Sequence, residues 1–364
     1  MFTRSRISRR RSLLAATALG AGVVIAAAVP VAQAAAPAQR FDQVNLVSDQ
    51  PGVAQLQDPL LVNPWGLSRS PVSPVWASNN GTGSSTLYRG AAGGTAVSKV
   101  ALEVAITGSA PTGQVFNDTT GFVVGTPPAG GPAAFIFDSE TGDITGWNRA
   151  AAPTTALVMA HSDGAIYKGL ALLHSATGPY LLAADFHHGR IDVFDRNWAR
   201  VDLGSAFTDP QLPAGYAPFN VYVSGASVYV SYAKQDAQAK DEIAGVNLGF
   251  VDKYTSDGRT VQRIASRGNL NAPWGMTIAP DSFGRFAGSL LVGNFGDGGI
   301  GAYTDSGDFL GFLRDAKNHK IAIDGLWALL PGTAASGGTD AVWFSAGPGN
   351  EEHGLLGLLR PSAR

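Results

Sequence analysis

Cysteine is absent from all 364 residues. That excludes a disulfide framework, a thiolate metal site, a cysteine nucleophile and a lipidated-cysteine anchor, each of which needs the residue. Charge is scarce as well, at 15% of residues against 45% hydrophobic, and a disordered chain needs the reverse balance. Beyond Val29 no apolar run is long enough to cross a bilayer. Several catalytic signatures are missing too. There is no Gly-x-Ser-x-Gly elbow, no His-Glu-x-x-His pair, no Gly-x-x-x-x-Gly-Lys phosphate loop and no EF-hand loop. What the chain has in excess is glycine, 46 residues, with 21 prolines. That composition suits many short strands joined by tight turns.

The N-terminus reads as a targeting segment spanning residues 1–34. Arg4, Arg6, Arg9, Arg10 and Arg11 precede an apolar stretch from Leu13 to Val29, and Ala32-Gln33-Ala34 supplies a small-x-small cleavage signal. The order Ser8-Arg9-Arg10-Arg11-Ser12-Leu13-Leu14 approaches a twin-arginine pattern, with Ser12 where a Phe is usual; an ordinary secretory signal or an uncleaved anchor helix is the alternative. The expected product is a secreted, extracytoplasmic chain with no membrane span. Cleavage would remove five arginines and no acidic residue from totals of 26 basic and 28 acidic, leaving a net charge near −7. Such a chain is a poor partner for nucleic acid or anionic lipid.

One phrase recurs along the remainder: a Pro or polar residue, an aromatic or Gly, then an apolar strand. It is seen as Asn63-Pro64-Trp65-Gly66-Leu67, Ala110-Pro111-Thr112-Gly113, Tyr167-Lys168-Gly169-Leu170, Ala217-Pro218-Phe219-Asn220, Ala272-Pro273-Trp274-Gly275-Met276 and Asp324-Gly325-Leu326-Trp327. Its starts near 63, 110, 166, 217, 272 and 323 give spacings of 47 to 56 residues, the length of a four-stranded propeller blade. Blade two carries a Pro/Gly insertion from Thr126 to Pro132. The last unit stops after a third strand, His353 to Leu359, while an orphan strand, Gln43 to Ser48, precedes the first. Pairing those two would close the ring and leave no sheet edge exposed. The reading is all-β: a six-bladed β-propeller over residues 41–360, closed by the N-terminal strand, with a linker at 35–40 and a tail at 361–364.

Several phrases also resemble a family of exported bacterial six-bladed propeller proteins with NHL-like repeats. They are Asn45-Leu46-Val47-Ser48-Asp49, Asn63-Pro64-Trp65-Gly66-Leu67, Phe207-Thr208-Asp209-Pro210, Tyr232-Ala233-Lys234-Gln235-Asp236, Leu291 to Gly298 and Asp324-Gly325-Leu326-Trp327. The resemblance implies a fold and an export route and supplies no catalytic residues. In blade number the chain is similar to gluconolactonase- and paraoxonase-like hydrolases, an analogy of fold alone.

In a propeller the inter-blade phrases and the turns between strands two and three open on one face. This groups Trp65, Lys168, Asn220, Trp274, Asp324 and Trp327 with Asn80, Asp185, Asp236, Asn294 and Asp297 as candidate ligand-binding residues. Asn and Asp beside Gly also serve turns, and recurring Trp residues also serve blade packing. Hard oxygens from Asn80, Asp185, Asn294 and Glu351 would suit Ca²⁺, with His187 or His353 as general base. Two functions stay open: a monomeric binding or scaffold protein for a small molecule, glycan or peptide, and a Ca²⁺-dependent lactonase- or esterase-like hydrolase. A quinone oxidoreductase would need a basic and metal-ligating cluster that the sequence does not display. The run from Lys234 to Glu242 holds five charged residues and is expected as a solvated loop, or as a lid over the channel.

Overall fold

The recurring phrase marks where the chain enters the innermost strand of a sheet. A computed structural model describes residues 40–108 and 110–362, and the targeting segment expected at 1–34 and the linker expected at 35–40, apart from Arg40, lie outside the described residues. The inner strands are Pro64–Ser68, Pro111–Phe116, Tyr167–Ser175, Tyr216–Ser224, Pro273–Ile278 and Leu326–Pro331. Asn63, Ala110 and Ala272, each just before a proline, and Gly325 enter with positive φ of 45°, 48°, 46° and 63°. The turn into the strand therefore repeats in geometry as well as in sequence.

Each inner strand leads an antiparallel sheet of four. The first continues through Val75–Asn79, Ser84–Arg89 and Val104–Ile106, and the second through Phe135–Ser139, Asp143–Trp147 and Thr155–His161. These two sheets also join at their outer strands, where Ala105 and Thr155 pair in parallel. The third runs through Gly178–Asp185, Arg190–Asp195 and Arg200–Val201, the fourth through Ser227–Gln235, Phe250–Thr255 and Val261–Ser266, and the fifth through Leu290–Asn294, Ile300–Tyr303 and Phe309–Phe312. The sixth takes Val342–Ala346 and Leu355–Pro361 and is completed by Phe41–Ser48. Among the described residues the helical pieces are two three-residue 3-10 turns. The inner strand of each sheet lies beside that of the next, and the sixth beside the first. The fold is a β-propeller.

Glycine in the phrase has a packing cause. A Cβ on Gly66 would stand 2.7 Å from the carbonyl of Thr112, one on Gly113 2.3 Å from the amide of Leu170, and one on Gly275 2.3 Å from the carbonyl of Trp327. All three contacts are with the inner strand of the following sheet, so the missing side chain is what lets neighbouring backbones meet around the axis.

The expected ring closure is present. Phe41–Ser48 pairs antiparallel with Leu355–Pro361, from Phe41 opposite Pro361 to Ser48 opposite Leu355. Ser48 donates its hydroxyl to the Gly354 carbonyl at 2.8 Å, and the Asp49 carboxylate receives the Gly354 amide at 2.8 Å and faces His353 Nδ1 at 2.9 Å. The insertion in the second sheet folds as a hairpin of Val123–Thr126 with Ala129–Pro132. The charged run in the fourth sheet leaves Ser227–Gln235 and returns through Glu242–Ile243, which pairs back on that strand.

Candidate functional site

The axis has two unlike ends. At the end where the inner strands begin, three indoles fill the centre. Trp65 stacks on Trp327 with ring centroids 3.5 Å apart, and Trp274 meets both edge-on at 5.9 and 5.7 Å. Phe219 and Phe295 close around Trp327 at 6.0 and 4.2 Å. All three tryptophans are buried, so their rings serve each other across sheets. Such edge and offset contacts add to the burial itself.

Lys168 sits against this aromatic plug with 1% of its surface exposed. Its Nζ lies 5.2 Å from the Trp65 ring centroid, 2.6 Å from Glu140 Oε1 and 3.2 Å from Asp241 Oδ1. Burial opposes the charge on Lys168, but Glu140, Glu242 and Asp241 outweigh it and hold the ammonium above its ordinary range. Burial pushes the Glu242 carboxyl up to about 7, against the pull of Lys168. Glu351 is raised by burial as well, although Asn63 donates to it at 2.7 Å. Asn80 donates to Glu140 Oε2 at 3.1 Å. One cation thus gathers carboxylates from three sheets. Asp241 and Glu242 come from the charged run, which the sequence placed as a solvated loop or lid.

The remaining expected residues divide clearly. Asn220 donates to the Trp274 carbonyl at 2.8 Å and accepts the amide of Val221. Asp236 accepts amides of Gln238 and Lys240, Asp324 accepts that of Gly349, and Asp297 accepts that of Gly299 while pairing with Lys320. Asp185 binds the amide and Nδ1 of His188, the latter at 2.7 Å. Asn294 bonds to Asn269 and Asp297. His187 reaches the Ala239 carbonyl at 3.2 Å, and His353 is held by Asp49 at the closure. Of the four residues expected to hold Ca²⁺, Asn80 and Glu351 join the Lys168 cluster, whereas Asp185 and Asn294 organise their own turns. Among the described residues no three of His, Asp and Glu are grouped to hold a metal ion.

The opposite end of the axis is hollow. A cavity of about 340 Å³ is lined by all six inner strands, from Gly66 and Trp274 beneath the plug down to Arg69, Phe116, His174 and Pro331. Burial falls toward the ends of five of the six inner strands: Gly113 and Gln114 are buried, Val115 and Phe116 partly so, and Asp118 and His174 exposed. The cavity therefore meets the plug at Trp274 and opens where the inner strands end. Its charged lining is Arg69 and the ion pair of Asp118 with His174, 2.9 Å apart. Sequence reasoning missed this end because no motif marks it. The only signal was the count of residues along each inner strand from the phrase to the far face.

No family model matches the chain. Three curated proteins of Acanthamoeba polyphaga mimivirus do, two of them over most of the chain. "Uncharacterized protein R648" is 31% identical over 323 residues, covering 86% of this chain and 78% of that protein. "Uncharacterized protein L690" is 31% identical over 329 residues, covering 86% of this chain and 84% of that protein. The chain belongs to their family. Solved structures similar in fold include virginiamycin B lyase from Staphylococcus aureus, at 10% identity and TM-score 0.48, covering 88% of this chain and 99% of that one. A gluconolactonase from Xanthomonas campestris is similar at 13% identity and TM-score 0.43, covering 90% and 99%.

Proposed function

We propose that this family member is an exported binding propeller that takes a small ligand into the hollow half of its axis. The observation that supports this reading is a cavity of about 340 Å³ that meets the tryptophan plug at Trp274 and opens at the inner-strand ends. Small-molecule sites are concave, mostly apolar and a few hundred cubic ångströms in volume. The rigid plug keeps the cavity from collapsing or running through, so a ligand would meet a preformed cup.

The neutral fluorophore N-phenyl-1-naphthylamine tests the reading on the chain lacking residues 1–34. One saturable site is expected, and Val223→Trp at the mouth should abolish it while leaving the thermal melt intact. Absence of a saturable site, or a site indifferent to Val223→Trp, would overturn the proposal. Export has its own check: the secreted protein should begin at Ala35.

A further inference from the structure

The cavity lining holds one cation without a counter-charge. Arg69 stands at the end of the first inner strand and donates through Nη2 to the Pro331 carbonyl at 3.1 Å. Its Nε is buried with no partner within the protein, and no carboxylate among the described residues pairs with it; the one acidic residue in the lining, Asp118, is taken by His174. Burial lowers the guanidinium below its ordinary range with no carboxylate to restore it. Other buried lining atoms are unmatched too: Ser68 Oγ, Gln114 Oε1 and Thr277 Oγ1 have no partner within the protein. Gln114 spends its amide on the carbonyls of Gly66 and Trp76, so only its acceptor is free.

A half-buried guanidinium whose Nε is shut off from solvent without a partner is costly unless something completes it. Its planar fork matches a carboxylate or phosphate through two parallel bonds. Around it the lining is apolar, with Leu67, Leu170, Val221 and Met276. The free hydroxyls of Ser68 and Thr277 donate as well as accept and can hold a further oxygen. We infer that the cavity selects a small amphiphilic anion, its oxyanion head on Arg69 at the mouth and its apolar body directed toward the tryptophan floor. This rests on the channel being a binding site and adds the class of ligand.

A matched pair of probes separates the two ideas. 1-Anilinonaphthalene-8-sulfonate is the neutral fluorophore with one added oxyanion. The sulfonate should bind at least tenfold more tightly than N-phenyl-1-naphthylamine. Arg69→Gln should bring the two together, Arg69→Lys should keep part of the difference, and both variants should melt like the parent. Displacement by octanoate and by phenyl phosphate then tells a carboxylate head from a phosphate head. If the neutral probe binds but the sulfonate gains nothing, or if Arg69→Gln preserves the gain, the anion assignment fails and the channel reading stands. If neither probe saturates, both fall.

Discussion

Trp274 in the fifth sheet donates its indole N–H to the backbone carbonyl of Lys168 in the third, 2.7 Å away across the axis. The bond ties non-adjacent sheets, so the plug is a cross-brace as well as a filler. Trp274→Phe keeps a ring against Trp65 and Trp327 but removes the donor and part of the indole's volume. A loss of about 1 kcal/mol is expected for the hydrogen bond, with the cavity adding to it, read as a lower urea midpoint at unchanged slope. An unchanged midpoint would show that the brace contributes nothing.

Lys168 is the buried cation facing Glu140, Asp241 and Glu242. Lys168→Met removes it while keeping the length of the side chain, and the carboxylates are left facing one another. Breaking a buried charge pair from one side costs about 3–5 kcal/mol. The loss should be larger at pH 8 than at pH 5, because protonation relieves the stranded carboxylates in acid. Equal losses at the two pH values would argue that the lysine acts by packing alone.

Asp138 gives the chain a stability that declines with rising pH. It is fully buried, accepts the Thr112 hydroxyl at 2.8 Å, and burial pushes its carboxyl up to about 7 from an ordinary 3.8. Between those values the folded state keeps a proton that the unfolded state has released, so stability falls through that window and levels off outside it. Glu242 adds to the same trend. Melting temperatures at pH 5 and 8 should differ less in Asp138→Asn than in the parent, and less still with Glu242→Gln added. An undiminished difference would place the titration elsewhere.

Ring closure depends on the first strand. Phe41 is buried against Phe283 and Phe286, with ring centroids 4.8 and 5.7 Å away. Phe41→Ala should cost about 3–5 kcal/mol, an effect of one residue near the N-terminus on the whole melt. A small change confined to local fraying, seen by hydrogen exchange, would mean that the ring holds without its latch.

Much of the fold was legible because a propeller repeats its local physics. Proline or glycine marks each inner strand, and the orphan strand at Gln43 to Ser48 announced a partner missing from the last unit. The site was legible only in part. Lys168, Trp65, Trp274 and Trp327 could be grouped from the phrase, since equivalent positions must converge. Glu140, Asp241 and Glu242 could not, because turn length and the path of the charged run decide where a loop side chain lands. Arg69 carried no mark at all.

The sequence by itself determined the all-β ring and where each inner strand begins, since strand period and turn chemistry act over a few neighbours. Only the tertiary structure decided which end of the axis is filled and which is hollow. Three indoles happen to meet at one level, and an arginine at the other level finds no carboxylate. Those outcomes depend on distances between sheets that no local pattern records.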